Sequence, residues 1–270
     1  MQLESLCEKA NPIILETGKF IREQSQRLHE ITIEEKDINS LVSYVDREAE
    51  KQLVAELGKL LPDAGFLTEE DTPNTEGKTW QWIIDPLDGT TNFLYGIPCF
   101  SISVGLKRDD KLVLGIIYEI NDDELFYAWE NGGAFLNKNR IHVSQRKLLS
   151  QSLLATGFPY YDFTSMGKYL KSFTYLMQNS RGIRRLGSAA VDLAYVACGR
   201  FDGFFEYSLN PWDVAGGAVI VKEAGGSVID FTGGENYLFG KEIIASNPFI
   251  TKDLMKVLKK DFHERVDSPV

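Results

Sequence analysis

The sequence is poor in the residues that build disulfide frameworks, zinc sites and covalent hydrolase centres. Its three cysteines, Cys7, Cys99 and Cys198, lie far apart and never form a C-x-x-C pair. This spacing argues against disulfides and zinc, and it indicates reduced thiols. The three histidines show no partner pattern, and no G-x-S-x-G pentapeptide occurs, so the usual serine esterase centre is also excluded.

Positive charge and long apolar runs are scarce as well. The chain has 29 lysines and arginines against 39 acidic residues, giving a net charge of −10, which argues against a nucleic-acid or anionic-membrane partner. Apolar runs such as Val214–Val221 are too short to span a bilayer, and Glu4 and Glu8 do not suit a signal peptide. We therefore expect a cytoplasmic protein without a membrane segment.

The sequence does have enough apolar residues for a large core. Its 270 residues are 43% apolar, which suffices for one large domain or two closely packed halves. Apolar spacing predicts a long helix from residue 2 to about residue 26, which Pro12 either kinks or begins, and a second helix from Val45 to Leu60. Between them, Arg27–Ser40 is predicted to be a mobile loop or a short exposed hairpin.

Strand patterns dominate the first half of the chain and alternate with helix patterns in the second. The predicted strands are Gly65–Thr68, Trp80–Ile84, Ser101–Lys107, Lys111–Tyr118, Glu124–Trp129, Gly132–Leu136, Leu153–Thr156, Gly182–Leu186, Phe201–Phe205, Ser227–Asp230 and Glu242–Ala245. The predicted helices of the second half are Ser165–Gln178, Ala189–Cys198, Pro211–Ala224 and Ile250–Lys260. This change predicts an antiparallel α+β half, residues 1–143, and an α/β half, residues 144–270, within one compact unit.

Acidic residues follow several of these elements. Glu69 and Glu70 end one predicted strand, Asp85 and Asp88 end the next, and Asp213 opens a helix. Each acid alone has an ordinary explanation, as a turn residue or a first-turn helix acid. Together they indicate a bound cation, because several acids placed close in space repel one another unless a cation neutralises them. All-oxygen ligands favour Mg²⁺.

The turn after Asp88 suits a phosphate. Gly89 allows close approach, and the backbone N–H groups of Thr90 and Thr91 would point at an anion there.

Three motifs of the chain resemble the inositol monophosphatase family of Mg²⁺-dependent, lithium-sensitive phosphatases. They are D-P-L-D-G-T-T-N-F at Asp85–Phe93, G-F-L-T-E-E-D at Gly65–Asp71 and P-W-D-V-A-G-G-A at Pro211–Ala218. The likeness extends over nearly the whole chain. It implies a layered αβαβα sandwich, assembled as a homodimer, that hydrolyses a phosphate monoester with two to three Mg²⁺ ions.

The resemblance also implies roles for individual residues. The implied metal ligands are Glu69, Asp85, the Leu87 carbonyl, Asp88 and Asp213. The residues implied to position or activate the attacking water are Glu70, Thr90 and Asp46, and Lys36 is implied to lie near a further metal. The implied contacts with the phosphate and with the substrate hydroxyls are Asp88, Gly89, Thr90, Gly187, Ser188, Ala189, Glu206 and Asp213.

The substrate is the more open part of the prediction, because fructose-1,6-bisphosphatases and 3′-phosphoadenosine 5′-phosphate nucleotidases share the metal core. R-R-L-G-S-A-A-V-D-L at Arg184–Leu193 and the acid Glu206 resemble the inositol monophosphatase branch. A carboxylate there accepts a hydrogen bond from a polyol and repels a second phosphate, so myo-inositol monophosphate is the expected substrate. Arg184 and Arg185 suit either an anionic ligand or a dimer interface. A regulatory protein of this fold that binds the transcription machinery is the third alternative.

Overall fold

The computed structural model describes residues 2–28, 34–37, 40–70, 72, 74–77, 79–160 and 162–263, and for residues 34–37 and 40–42 it describes the backbone alone. The helices are α1 Leu3–Ser25, α2 Tyr44–Leu60, α3 Thr90–Leu94, α4 Met166–Asn179, α5 Ala189–Ala197, α6 Pro211–Glu223 and α7 Thr251–Phe262. The strands are β1 Glu34–Asp37, β2 Ser40–Val42, β3 Gly65–Thr68, β4 Trp80–Asp88, β5 Ser101–Arg108, β6 Lys111–Glu119, β7 Glu124–Trp129, β8 Gly133–Leu136, β9 Asn139–Ile141, β10 Leu153–Thr156, β11 Gly182–Arg184, β12 Gly203–Tyr207, β13 Ser227–Ile229 and β14 Glu242–Ser246.

Two sheets organise the chain. The larger sheet has the order β3-β4-β5-β6-β7-β8-β9. Its strands pair antiparallel, as short hairpin connections require, except that β3 runs parallel to β4. The smaller sheet has the order β11-β10-β12-β14-β13, with the first three strands parallel and the last two antiparallel to their neighbours.

The helices form three layers around these sheets, so the expected αβαβα sandwich is confirmed. The first layer, α1 and α2, covers the outer face of the larger sheet; α5 and α6 lie between the sheets; α4 and α7 cover the smaller one. Three apolar clusters correspond to these three contacts. The division at residues 143 and 144 stays a prediction, because the middle layer packs on both sheets.

The middle layer packs closely because glycines face one another. A side chain at Gly115 of β6 would overlap the backbone of Gly216 on α6, and one at Gly105 of β5 would overlap Ala215. Backbone therefore meets backbone, and the start of α6 lies close to the larger sheet.

Several element boundaries differ from the predictions. The β4 strand continues past Ile84 to Asp88, so both of its acids belong to the strand, and the expected turn at Gly89–Thr91 is the start of the short helix α3. Helix α1 begins at Leu3 and runs through Pro12, so Pro12 does not mark the helix start. Within Arg27–Ser40, β1 pairs with β2 as a hairpin, while residues 29–33 and 38–39 lie outside the described residues.

Two predictions about absences can be checked on the described part of the chain. No helix there is long and apolar enough to cross a bilayer. Cys7, Cys99 and Cys198 are all free thiols, in agreement with the absence of a disulfide framework.

Candidate active site

A cavity lies where β3 and β4 end and where α3, α5 and α6 begin. Most of the predicted site residues line it, namely Glu69, Asp85, Leu87, Asp88, Gly89, Thr90, Gly187, Ser188, Ala189, Glu206 and Asp213. The cavity therefore combines residues that are more than a hundred positions apart in sequence.

The end of β4 places two acids on the same cavity. Alternate residues of a regular strand point to opposite faces, so Asp85 and Asp88 would normally diverge. The pairing of β4 with β5 is irregular between these two residues, and this irregularity re-aims the strand. The backbone N–H of Leu87 donates a 2.9 Å hydrogen bond to Asp85 Oδ1, which fixes the first carboxylate in the bend.

The acids at this edge repel one another. Burial is the largest cause that raises the pKa of Asp85 well above its usual range, followed by the charges of Glu69, Asp88 and Asp213. A hydrogen bond with Glu69 raises the pKa of Asp85 further, and two carboxyl groups can form such a bond only if one of them holds a proton. The pKa of Asp213 is also raised well above its usual range, by burial and by Asp88. The cluster is therefore short of positive charge.

The start of α5, in the second half of the chain, holds Asp88. Its Oδ2 accepts hydrogen bonds from the Ser188 hydroxyl and, at 2.7 Å, from the backbone N–H of Ala190. These bonds and Arg185 lower the pKa of Asp88, yet burial outweighs them and raises it to about 6. Ser188 and Ala189, predicted as substrate contacts, thus line the cavity while this helix start binds an acid from the other half.

Asp213 lies in the first turn of helix α6. Pro211 occupies the first helical position, where it loses no hydrogen bond. The backbone N–H of Asn210 donates a 2.7 Å bond to Asp213 Oδ2. The acid therefore caps the helix with one oxygen and lines the cavity with the rest of its carboxylate.

Thr90 connects the phosphate turn to α2. Its hydroxyl lies 2.9 Å from Asp46 Oδ1 and 3.0 Å from the Leu87 carbonyl. Asp46 also accepts bonds on Oδ2 from the backbone N–H and hydroxyl of Ser43, the N-cap of α2. Burial raises the pKa of Asp46 despite these bonds. Gly89, which precedes Thr90, has φ +94°, a backbone conformation that residues other than glycine rarely adopt.

Two supporting residues were missed by the sequence reasoning. Glu50 of α2 accepts the backbone N–H groups of Glu70 and Thr72, at 2.7 and 2.8 Å, and thereby fixes the acidic loop after β3. Asn92 of α3 donates to the carbonyls of Cys99 and Leu186 and so bridges the two halves. The apolar spacing of α2 held a signal for Glu50, because an acid on a buried helix face needs a partner.

The far end of the cavity contains Glu206 and Arg185. Glu206 lies on β12 with its carboxylate against Gly157, where a side chain would overlap it. Burial raises the pKa of Glu206 to about 8, while Arg185 opposes the shift. Arg185 donates a 2.8 Å bond to the Tyr160 hydroxyl and lies over the rings of Phe158 and Tyr160. Arg184 is exposed, as Arg185 is, but it does not line the cavity.

Three predicted residues lie differently. Asp46 is not among the cavity-lining residues and is joined to them by its hydrogen bond with the Thr90 hydroxyl. Glu70 follows Glu69 in the loop that Glu50 fixes, but it is not among the cavity-lining residues. Lys36 belongs to strand β1, and its side chain lies outside the described part of the structure.

Comparisons with known proteins show which family the chain belongs to. The family model described as "Inositol monophosphatase family" matches residues 2–267. The chain belongs to the inositol monophosphatase family. An inositol-1-monophosphatase of Mesorhizobium japonicum is 40% identical over 93% of this chain and 95% of its own length. A Nus factor SuhB of Pseudomonas aeruginosa is 42% identical over 90% of this chain and 91% of its own.

Solved structures show the same relationship. The crystal structure of the extragenic suppressor protein suhB from Bartonella henselae superimposes with a TM-score of 0.89, at 41% identity, covering 96% of this chain and 98% of that one. The IMPase of Thermotoga maritima superimposes with a TM-score of 0.83, at 37% identity, covering 93% and 95%. Membership in the family therefore rests on sequence and on fold.

The residues present suit the Mg²⁺ that the family implies. The donors are the carboxylates of Glu69, Asp85, Asp88 and Asp213 and the Leu87 carbonyl, all oxygens, and no histidine or cysteine among the described residues lines the cavity. Across the described residues, no group of three or more acids, histidines or cysteines is already arranged as a metal centre. The acids of this family member thus share a cavity, and their charges raise the pKa of Asp85 and Asp213.

Proposed function

We propose that this protein is a Mg²⁺-dependent phosphatase that hydrolyses a phosphate monoester, with myo-inositol monophosphate as its substrate. The observation that carries the proposal is the meeting of four acids beside the Gly89–Thr90 turn, with mutual repulsion that raises the pKa of Asp85 and Asp213. Such an arrangement is unfavourable without a cation, and it becomes favourable once a cation is bound.

The acids would bind the metal ions, and the Gly89–Thr90 turn would bind the phosphate. Glu69, Asp85, Asp88, Asp213 and the Leu87 carbonyl would hold two to three Mg²⁺ ions. Bound Mg²⁺ would polarise the phosphate oxygens, stabilise the leaving alkoxide and lower the pKa of a water. The N–H groups of the turn would orient the phosphate so that this water attacks in line, without a covalent intermediate.

Thr90 would orient the attacking water and take part in its deprotonation. Its hydroxyl already lies within hydrogen-bond distance of Asp46 Oδ1, so a proton taken from the water could pass to that carboxylate. Burial raises the pKa of Asp46, which makes it a better proton acceptor than an exposed aspartate. Glu70, positioned through its backbone by Glu50, is the second candidate base.

The proposed substrate follows from Glu206. Its carboxylate lines the cavity away from the turn, where the alcohol part of the ester would lie. In the metal-loaded protein, where nearby cations would favour its ionised form, this carboxylate would accept a hydrogen bond from a polyol hydroxyl and repel a second phosphate. This supports a polyol monophosphate over a bisphosphate.

Removal of one acid tests the phosphatase proposal. We expect Asp88→Asn and Asp213→Asn each to lower phosphate release from inositol 1-phosphate by about 10³-fold, because each removes a ligand that would neutralise transition-state charge. Asp253→Asn, an exposed change on α7, is the control. Turnover near that of the control in both cavity variants would refute the proposal.

A substrate panel tests the substrate proposal separately. Values of kcat/KM would be compared for inositol 1-phosphate, fructose 1,6-bisphosphate and 3′-phosphoadenosine 5′-phosphate. We expect the highest value for inositol 1-phosphate. A higher value for either bisphosphate would favour a bisphosphatase or nucleotidase on the same metal core.

The homodimer, the lithium sensitivity and the cytoplasmic location are further parts of the proposal. Light scattering after gel filtration measures the oligomeric state, and inhibition by LiCl in the phosphate-release assay measures the sensitivity to lithium. A monomer at micromolar concentration would contradict the homodimer, and full activity in LiCl would contradict the sensitivity to lithium.

A second function is suggested by the relatives named Nus factor SuhB. A role in transcription would use the outer surface, and the activity would then be dispensable. We would express Asp88→Asn in a strain that lacks the protein. Rescue of that strain, together with recovery of transcription proteins in a pull-down, would favour the regulatory role over catalysis.

A further inference from the structure

Asp192 is a buried acid at the cavity that the mechanism above does not use. It lies in the first turn of α5, is 1% exposed and lines the same cavity as Glu206. Its Oδ1 has no hydrogen-bond partner among the residues that the structure describes. Because an unpaired buried acceptor loses its bond to water without gaining another, such an atom destabilises the fold.

The other buried aspartates of the described chain are bonded. Asp202, 0% exposed, accepts from the Ser144 hydroxyl, from Arg146 at 3.0 Å and from the backbone N–H of Leu153 at 2.7 Å. Asp46 and Asp85 accept the bonds described above. The fold thus satisfies its buried acids elsewhere and leaves Asp192 unsatisfied at the cavity wall.

Helix capping does not account for Asp192. The N-cap of α5 is Ser188, whose hydroxyl accepts the backbone N–H of Val191 at 3.3 Å. The backbone N–H of Asp192 itself bonds the Ser188 carbonyl at 3.0 Å. The helix start is therefore capped without the carboxyl group of Asp192.

The neighbouring charges do not satisfy it either. Glu206 and Asp88 face Asp192 with charge of the same sign, and Arg185 is the cation that opposes them. Arg185 donates a side-chain hydrogen bond to the Tyr160 hydroxyl and stacks on Phe158. Asp192 Oδ1, on the cavity wall, is thus an acceptor that lacks a donor among the described residues.

We propose that Asp192 accepts a hydrogen bond from a hydroxyl of the leaving alcohol, next to the one held by Glu206, and so determines the preference for polyol phosphates. The inference rests on the proposed phosphatase function and adds a residue to it. A site built to hydrogen-bond a hydroxyl discriminates strongly against analogues without one, since its buried acceptors then stay unpaired.

The test compares two esters in one variant. Myo-inositol 1-phosphate offers several hydroxyls, and p-nitrophenyl phosphate offers none. We expect Asp192→Leu to lower kcat/KM for inositol 1-phosphate, relative to kcat/KM for p-nitrophenyl phosphate, by tenfold or more. The change should come mainly from a higher KM for inositol 1-phosphate, because the hydrogen bond exists in both the ground state and the transition state. Asp192→Asn, which keeps an acceptor oxygen, should lower the ratio less. An equal loss on both esters would overturn the proposal.

Thermal unfolding without substrate gives a second readout. Asp192→Asn should keep or raise the midpoint, because it removes a carboxyl group whose charge Glu206 and Asp88 repel. Asp202→Asn is the matched control and should lower the midpoint, because it weakens bonds to three donors. A fall for Asp192→Asn as large as that for Asp202→Asn would show a structural role and overturn the proposal.

Failure of the proposed function is distinguishable in the same assay. Wild-type protein that hydrolyses neither ester removes the phosphatase proposal and this inference with it. Wild-type protein that hydrolyses p-nitrophenyl phosphate but not inositol 1-phosphate retains the phosphatase and overturns the polyol contact.

Discussion

At the scale of single residues, the site combines groups whose roles can be separated by small changes. Thr90 has one hydroxyl proton and two acceptors within reach, Asp46 Oδ1 and the Leu87 carbonyl. The single proton can be donated to only one of these two acceptors at a time. The hydroxyl oxygen is then free to accept a hydrogen bond from a water. The hydroxyl, not the rest of the side chain, should therefore matter for turnover.

We expect Thr90→Val, which keeps the shape but removes the hydroxyl, to lower kcat by about 10²-fold or more with little change in KM, the range typical of lost proton transfer. Thr90→Ser should retain most of the activity. Steady-state kinetics on inositol 1-phosphate would measure both. Equal kcat values for the two variants would show that the hydroxyl takes no part in the reaction.

Glu206 makes the stability of the metal-free protein depend on pH. Its pKa rises from 4.5 to about 8 through burial. Below pH 4.5 the folded and unfolded chains both hold the proton; between pH 4.5 and about 8 the unfolded chain releases it and the folded chain does not. The contribution of Glu206 to the stability of the wild-type protein is therefore lost as the pH rises through this window.

Glu206→Gln should remove that loss. We expect its stability relative to wild type to grow with pH, by at most about 1.4 kcal/mol per pH unit. Urea unfolding at pH 5 and pH 8 in metal-free buffer would measure the difference. A difference that stays constant between the two pH values would show that Glu206 does not titrate in this window.

The sequence predicted single residues unevenly. The acids of β4 and α6 were found because they stand in long motifs at element ends. Glu50 and Asn92 were missed, since their importance comes from partners far away in sequence, such as Glu70 for Glu50 and Leu186 for Asn92. Spacing along one helix cannot show which loop lies over it.

At the scale of elements, the position of α6 decides where Asp213 lies. The helix approaches β5 and β6 through glycines, and a side chain at Gly115 would overlap the Gly216 carbonyl. A methyl group there would push the helix away from the sheet that carries Asp85 and Asp88. The distance between two groups of proposed metal ligands is thus set by the absence of side chains.

We expect Gly115→Ala to cost about 1–3 kcal/mol of stability, the range for overpacked cores, and to lower kcat because Asp213 moves. Gly58→Ala on α2 is the matched control: its new methyl would make ordinary contacts with Phe66, and alanine favours a helix by about 1 kcal/mol. Urea unfolding and phosphate release would measure both variants. Similar effects of the two changes would contradict this account of the packing.

The sequence located most elements but not how they end. Apolar periodicity predicted the long helices and nearly all central strands, yet it ended β4 at Ile84, where the apolar run stops. The strand in fact runs on to Asp88, because its pairing with β5 continues past that run. Tertiary pairing decided the boundary. The signal for the irregular pairing was Pro86, because a proline inside a strand cannot donate a ladder hydrogen bond.

At the scale of the whole molecule, binding of Mg²⁺ should stabilise the fold, since it would relieve the repulsion among Glu69, Asp85, Asp88 and Asp213. At a concentration of 100 times its dissociation constant, a ligand adds about 2.7 kcal/mol, or a rise of roughly 5–10 °C in the thermal midpoint for a chain of this size. Differential scanning fluorimetry with and without EDTA would measure the shift.

The variant Asp85→Asn should change both the stability without Mg²⁺ and the response to Mg²⁺. Without Mg²⁺ it should be more stable than wild type, because one repelling charge is gone, and it should respond little to added Mg²⁺. Asp253→Asn, exposed and remote, should behave as wild type. A full Mg²⁺ response in Asp85→Asn would show that the cluster is not where the ion binds.

The layered architecture itself was predictable through resemblance more than through pattern. Alternating strands and helices indicated two kinds of half, but nothing in their order shows that α5 and α6 lie between the sheets. That placement joins Asp88 of one half to Ser188 and Ala190 of the other. The site therefore belongs to the pair of halves and not to either one.

The contact between Asp88 and the start of α5 has a consequence during synthesis. A chain leaving the ribosome exposes the β4 acids long before residues 188–213 emerge. Until those residues fold onto the larger sheet, Asp88 has no helix start to bind and Asp213 is absent from the cluster. The nascent protein thus cannot assemble the proposed ion-binding centre early, and the proposed activity would begin only after most of its length has been translated.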